Sequence, residues 1–189
     1  RQKKKDGSAS SGSYILSAKH SLLDYTSKSL YPNVNDGRGL PFNFTDLYGK
    51  VSFNSDEGSK FSVFGFHNRD SVNFYNAADL DFRASGGGMS FLVVPNSSTT
   101  FIRGHVNGSN YKTTFNETES QERTSSIGGF DLGFDFTHFL KHESEVNYGF
   151  NLGGFNTKFL TYNELQRKIE LDIFTSEIGG YINAKIIRN

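Results

Sequence analysis

The side chains best able to hold a metal ion are His67, His105, His138 and His142, with Glu143, because imidazole and carboxylate are both metal ligands. Only His138 and His142 are close enough in sequence to act together. They fall in a stretch that reads as a turn, so the histidines are expected to be scattered over the surface. No Ser, His and Asp arrangement, nucleophile elbow or acid pair on a rigid frame stands out, and there is no cysteine. Disulfides, thiol catalysis and Cys-ligated zinc are thereby excluded. Gly86-Gly87-Gly88 is followed neither by a helix nor by Gly-Lys-Ser/Thr, so it fails as a phosphate loop and reads as a bend or a close contact. Neither an enzyme activity nor a cofactor is expected. What does recur is a polar set at alternate positions: Asp131, Asp135, Glu145, Asn147, Asn151, Glu177, Asn183 and Lys185. Such a set is either a track for a polar ligand or simply a hydrated wall.

Strands must position that set. In Ser126–Phe155, Gly128, Phe130, Leu132, Phe134 and Phe136 share one face, while Gly129, Asp131, Gly133, Asp135 and Thr137 share the other. Val146, Tyr148, Phe150, Leu152 and Gly154 then repeat the apolar face opposite Glu145, Asn147, Gly149, Asn151 and Gly153. A hairpin of this kind is half-buried in a soluble sandwich, or else stands between lipid and a wet lumen. Similar alternation marks strands at 13–21, 42–54, 60–69, 82–94, from 99 onward, and 174–186, giving eight strands of about ten residues. The facing of 60–69 is ambiguous, since Phe61, Val63 and Gly65 alternate with Phe64 and Phe66. Short turns are expected near 55–59, 95–98 and 138–143, and long polar loops near 22–41, 70–81, 109–125 and 157–173. That asymmetry favours an up-and-down transmembrane barrel over a soluble sheet.

Composition agrees with a β protein. Nineteen Phe and nine Tyr accompany no Trp, one Met and three Pro in 189 residues. Twenty basic residues balance twenty acidic ones, so no global charge recruits nucleic acid. No run approaches the roughly 18–20 apolar residues of a helical span, so a membrane role would need a β-barrel. The sequons at Asn43, Asn96, Asn107 and Asn116 follow from an Asn- and Ser-rich composition.

The runs SGSYILSAKHSLLD at 11–24 and LPFNFTDLYGKVSF at 40–53, with TSEIGGYINAK at 175–185, resemble the barrel of TonB-dependent outer-membrane receptors of Bacteroidota. The resemblance implies an all-β, antiparallel up-and-down transmembrane barrel segment, about eight strands of a larger, plug-containing barrel. Residues 1–12 would be a polar lead or turn, and 13–189 the partial barrel. Nothing resembles a plug, a TonB-contacting segment or a closing terminal strand, so an internal slice of the barrel is expected. The implied location is the Gram-negative outer membrane, and the implied activity is import of a large or scarce ligand. Implied partners are membrane lipid, the receptor's own plug and remaining strands, a TonB-type energy-coupling protein and a surface lipoprotein. The polar set would then face lumen and plug. Two alternatives stand beside uptake: a non-transporting barrel that serves as scaffold, and a soluble ligand-binding β domain.

Overall fold

A computed structural model describes residues 10–95 and 99–187. Strands β1 (Ser11–His20), β2 (Phe42–Asn54), β3 (Lys60–Phe74), β4 (Ala78–Val93), β5 (Thr100–Glu117), β6 (Arg123–Phe139), β7 (Glu145–Tyr162) and β8 (Lys168–Lys185) form one antiparallel sheet in chain order. The expected all-β, eight-stranded up-and-down arrangement is therefore present. β1 and β8 each have a single neighbour, so the sheet is open among the described residues. One helix, α1 (Leu23–Leu30), interrupts the β1–β2 connection. Among the described residues no helix is long and apolar enough to cross a membrane.

Three of the four expected long loops are not loops. The segments 70–81, 109–125 and 157–173 are mostly strand, closed by tight turns at 75–77, 118–122 and 163–167. Apart from β1 the strands run 13 to 18 residues rather than about ten. Only the connection at 21–41 is long, and it is ordered. Of the short turns, that at 95–98 lies largely outside the described residues, as does most of the polar lead.

Directly paired residues project to the same side of a sheet, so the register defines rungs across all eight strands. One rung reads Tyr14, Val51, Val63, Met89, Val106, Leu132, Leu152, Ile178, apolar from edge to edge. The next rung toward the 55–59 turn contains Phe53, Phe61, Phe91, Phe134 and Phe150, with Phe134 and Phe150 stacked at 5.4 Å. This Leu132 face also settles β3: Phe61, Val63 and Gly65 belong to it, whereas Phe64 and Phe66 project to the opposite, Asp131 face.

Among the described residues nothing covers the Leu132 face. No apolar side chain is buried among the described residues, and Ile178 is 79 % exposed. The chain exposes 13916 Å², where a compact monomer of its 21.1 kDa would expose about 9,000 Å². A sandwich would have buried that face beneath a second sheet, and there is none among the described residues.

The described turns at one end of the sheet shift against the rungs, whereas those at the other end, centred on 76, 119 and 165, each lie thirteen residues past Val63, Val106 and Leu152 on the shared rung. The centre of the β2–β3 turn, residue 57, lies six residues past Val51, and that of the β6–β7 turn, residue 142, lies ten past Leu132.

The 21–41 connection is held by a buried serine. Helix α1 carries Asp24 in its first turn and Lys28 in its last, matching the helix dipole. Ser27 is buried; its hydroxyl donates to the Leu23 carbonyl and accepts from the Leu40 N–H at 2.8 Å. Gly39 makes this approach feasible, with φ +82° and space for a Cβ only 2.4 Å from Ser27 Oγ. The connection also clamps the β3–β4 turn. Asn35 donates to the Asn73 carbonyl and accepts from the Tyr75 N–H, and Arg38 stacks on Tyr75 at 3.7 Å. Gly39→Ala is expected to cost about 1 kcal/mol or more locally, read as faster proteolytic cleavage within 21–41 while cleavage elsewhere is unchanged.

Candidate functional site on the Asp131 face

All eight polar residues singled out from the sequence stand on the Asp131 face, in the half of β6, β7 and β8 nearer the 140–144 turn. Asn147 is directly opposite Asn183, and Glu145 is opposite Lys185. Asn147 also donates to Glu145 at 3.4 Å. Asp131 and Glu177 share a rung with only Gly153 between them. Asn151 lies between Gly133 and Gly179 on the next.

Sequence reasoning left four partners out of this set. His105 Nε2 lies 2.5 Å from Asp131, and the Tyr181 hydroxyl donates to Asp135 at 2.6 Å. Arg103 is directly opposite Asp135, and Asn107 directly opposite Asp131. The alternation of β5 already puts Arg103, His105 and Asn107 on this face; what it cannot supply is the register that brings them to Asp131 and Asp135. Glycines make the contacts possible. A Cβ at Gly133 would meet the His105 ring at 2.4 Å, and one at Gly149 would meet Tyr181 at 2.8 Å. Long side chains therefore lie flat over glycines, giving a thin, hydrogen-bonded polar lining.

Toward the opposite ends of the strands the two faces exchange character. There the Asp131 face carries Phe42, Phe74, Phe82, Phe115, Phe159 and Leu171, while the Leu132 face turns to Arg69, Arg83, Lys112 and Lys158. At the crossover is a shallow hollow of about 440 Å³, bounded by Phe64, Phe66 and Phe155 and floored by glycines, with Asn107, Asp131 and Glu177 at its polar side. It presents aromatic surface and two carboxylates together, and suits a ligand or protein segment with apolar and hydrogen-bonding parts.

The histidines do not converge. His67 bonds Ser85 on the Leu132 face at 2.7 Å, His138 bonds Thr100 at 2.7 Å, and His142 is in a turn at φ +57°. Among the described residues no three His, Asp or Glu side chains gather as a metal site. Gly86, Gly87 and Gly88 lie inside β4, where Phe66 packs over Gly86 and Asn107 over Gly88. The sequon at Asn96 lies outside the described residues.

No family model, curated protein or solved structure matches this chain. The resemblance carried by residues 11–24, 40–53 and 175–185 therefore stands on those residues alone.

At the far end of β3 and β4, Asp81 lies between two guanidiniums, 2.7 Å from Arg69 and 2.5 Å from Arg83. Partial burial pushes its carboxyl up, but the hydrogen bonds and charges of Arg83 and Arg69 outweigh this and hold it below the usual carboxylate range. A carboxyl lowered on folding contributes stability that is full above its unfolded pKa, about 3.9, and is lost as pH falls through the folded value. Protection factors at the 70–81 tip, referred to the intrinsic exchange rate at each pH, are expected to fall on acidification from about pH 7 to about pH 3. In Asp81→Asn the same tip should show a much smaller change.

Proposed function

We propose that this chain is part of the wall of an outer-membrane β-barrel of the TonB-dependent receptor type, taking part in ligand import together with a plug and further strands. One observation carries the membrane half of this reading: a sheet face apolar across eight strands, rich in Phe, with nothing covering it among the described residues. Lipid is the partner that such a face fits. The glycine-rich polar lining supports a lumen shared with a plug, because short side chains leave room for a separate domain. The hollow at the polarity crossover is the place where plug or cargo would be gripped. A TonB-type energy-coupling protein and a surface lipoprotein complete the expected assembly. Among the rivals, a soluble ligand-binding domain would need a second layer over the Leu132 face.

The turns at 75–77, 118–122 and 163–167 are expected outside the cell, with 55–59 and 140–144 in the periplasm. In the full-length protein on intact cells, cysteine at Ser120 or Glu164 should react with a membrane-impermeant maleimide, and cysteine at Glu57 or Lys141 should react only after the outer membrane is opened. The reverse pattern would invert the orientation. Equal labelling in a fraction that carbonate washes off membranes would sink the membrane reading altogether.

A further inference from the structure

We propose that the Asp131 face carries, on β2 to β5, a binding site for a tetrahedral oxyanion, a phosphoryl or sulfate group, built on Lys60, Arg103 and the hydroxyls of Ser62 and Ser90. Four strands of this chain form it by themselves, so it goes beyond the import reading and does not depend on it. A hollow of about 380 Å³, distinct from the one at the polarity crossover, is lined there by Ser52, Asn54, Lys60, Ser62, Ser90 and Arg103. Among the described residues no carboxylate lines it. Lys60 and Arg103 flank Leu92 on one rung, so their backbones stand about 10 Å apart, twice the strand spacing. Ser52, Ser62 and Ser90 form the adjoining rung of the same face.

Both cations are exposed, and neither has an ion-pair partner among the described residues. Arg103 is the more telling of the two. The register puts Asp135 directly opposite it, yet the Asp135 carboxylate takes the Tyr181 hydroxyl at 2.6 Å, and Arg103 lines the hollow instead. Lys60 has only Asn54 and Leu92 beside it on its rung. The polar neighbours add further donors. Ser62 and Ser90 are hydrogen-bonded to each other at 2.9 Å, which uses one of their two hydroxyl hydrogens and leaves the second. Asn54 donates one amide hydrogen to Ser11 at 3.2 Å and keeps another. Donors therefore reach the hollow from β2, β3, β4 and β5. A carboxylate offers its two oxygens in one plane, whereas a phosphoryl or sulfate group offers three or four in a tetrahedron and meets donors from several sides. The guanidinium fork matches two of those oxygens, and the lysine ammonium supplies a point charge to a third.

Isothermal titration calorimetry on the full-length protein in mild detergent, at constant ionic strength, tests this with inorganic phosphate, inorganic sulfate, phenyl phosphate and acetate. Phosphate and sulfate should bind saturably and at least tenfold more tightly than acetate. Lys60→Gln and Arg103→Gln should each weaken phosphate binding about tenfold, the effect of losing one charged hydrogen-bond donor, and Ser90→Ala about threefold. Lys19→Gln removes a cation of the same face eight residues along β1 from Ser11, which shares the Asn54 rung, and should change nothing. Phenyl phosphate binding as tightly as inorganic phosphate would identify the ligand as a phosphoryl group carried on a larger molecule, and binding of inorganic phosphate alone would identify the free ion; either supports the site. Acetate matching phosphate would show a general attraction for anions and overturn the proposal, as would equal weakening by Lys19→Gln. Wild-type protein that binds neither phosphate nor sulfate overturns it without recourse to any variant. Flotation with membranes is scored separately, so failure of the membrane reading and failure of the oxyanion site are distinguished.

Discussion

Leu132→Arg is expected to destabilise the protein, in the membrane placement proposed for it, by about 2–4 kcal/mol, the cost of placing arginine near the middle of a barrel's lipid face. Leu132 is flanked on its rung by Val106 and Leu152, with Met89 and Ile178 one strand further on either side. An arginine there has no carboxylate within the rung and no polar level adjacent to it. The comparison must come from the other face, and Gly133 is unsuitable because the His105 ring occupies its side-chain space. Ser52 is better placed, on a rung with Ser13, Ser62 and Ser90. Ser52→Arg should stay within about 0.5 kcal/mol of the parent. Urea unfolding of the full-length protein in lipid vesicles reads both. Equal losses at the two positions would remove the basis for assigning the Leu132 face to lipid.

The second large effect is loss of the fold on isolation. Expressed alone, residues 1–189 are expected to give no protease-resistant, heat-modifiable monomer in detergent. Eight strands suffice for a small closed barrel, but here β1 and β8 present unpaired edges, 10 and 18 residues long. In hydrocarbon every unpaired backbone group costs several kcal/mol, so these edges require further strands. A small barrel would also have to fill its interior with side chains, and in the half nearer the 140–144 turn the Asp131 face is thinned by Gly133, Gly149, Gly153 and Gly179. A monodisperse eight-stranded barrel in which β1 is hydrogen-bonded to β8 would defeat both this expectation and the larger-barrel reading.

Strand number, order and the polar set were legible in the sequence wherever a single phase of alternation persisted. Residues 128–136 and 146–154 keep one phase, and there facing and pairing follow directly from period two. The outer halves were misread as loops because the phase changes within each strand. In β5, Ile102 and Val106 belong to one face while Tyr111 and Phe115 belong to the other, so no single alternation spans the strand. Asn and Asp near the tips then looked like loop composition, although most of them pair in the ladder. The crossover accounts for the ambiguity of β3 as well, because Phe64 and Phe66 begin the aromatic lining of the Asp131 face before the apolar run of the Leu132 face has ended. Contacts such as Tyr181 to Asp135 depend on a cross-strand glycine, and register cannot be read from a single strand.

The cations of the Leu132 face bear on how such a sheet could enter a bilayer. The tips beyond them must cross the hydrocarbon before the apolar rungs can settle there, and each basic residue passing the midplane costs about 2–4 kcal/mol. Arg69, Arg83 and Lys112, neighbours on one rung, would have to cross in close succession. Folding first and inserting afterwards is therefore the slow route; insertion strand by strand, with the cations passing singly through a protein-lined opening, is the fast one. In a sheet so inserted, the same residues would act as a ratchet, because withdrawal would have to bring them back through the hydrocarbon.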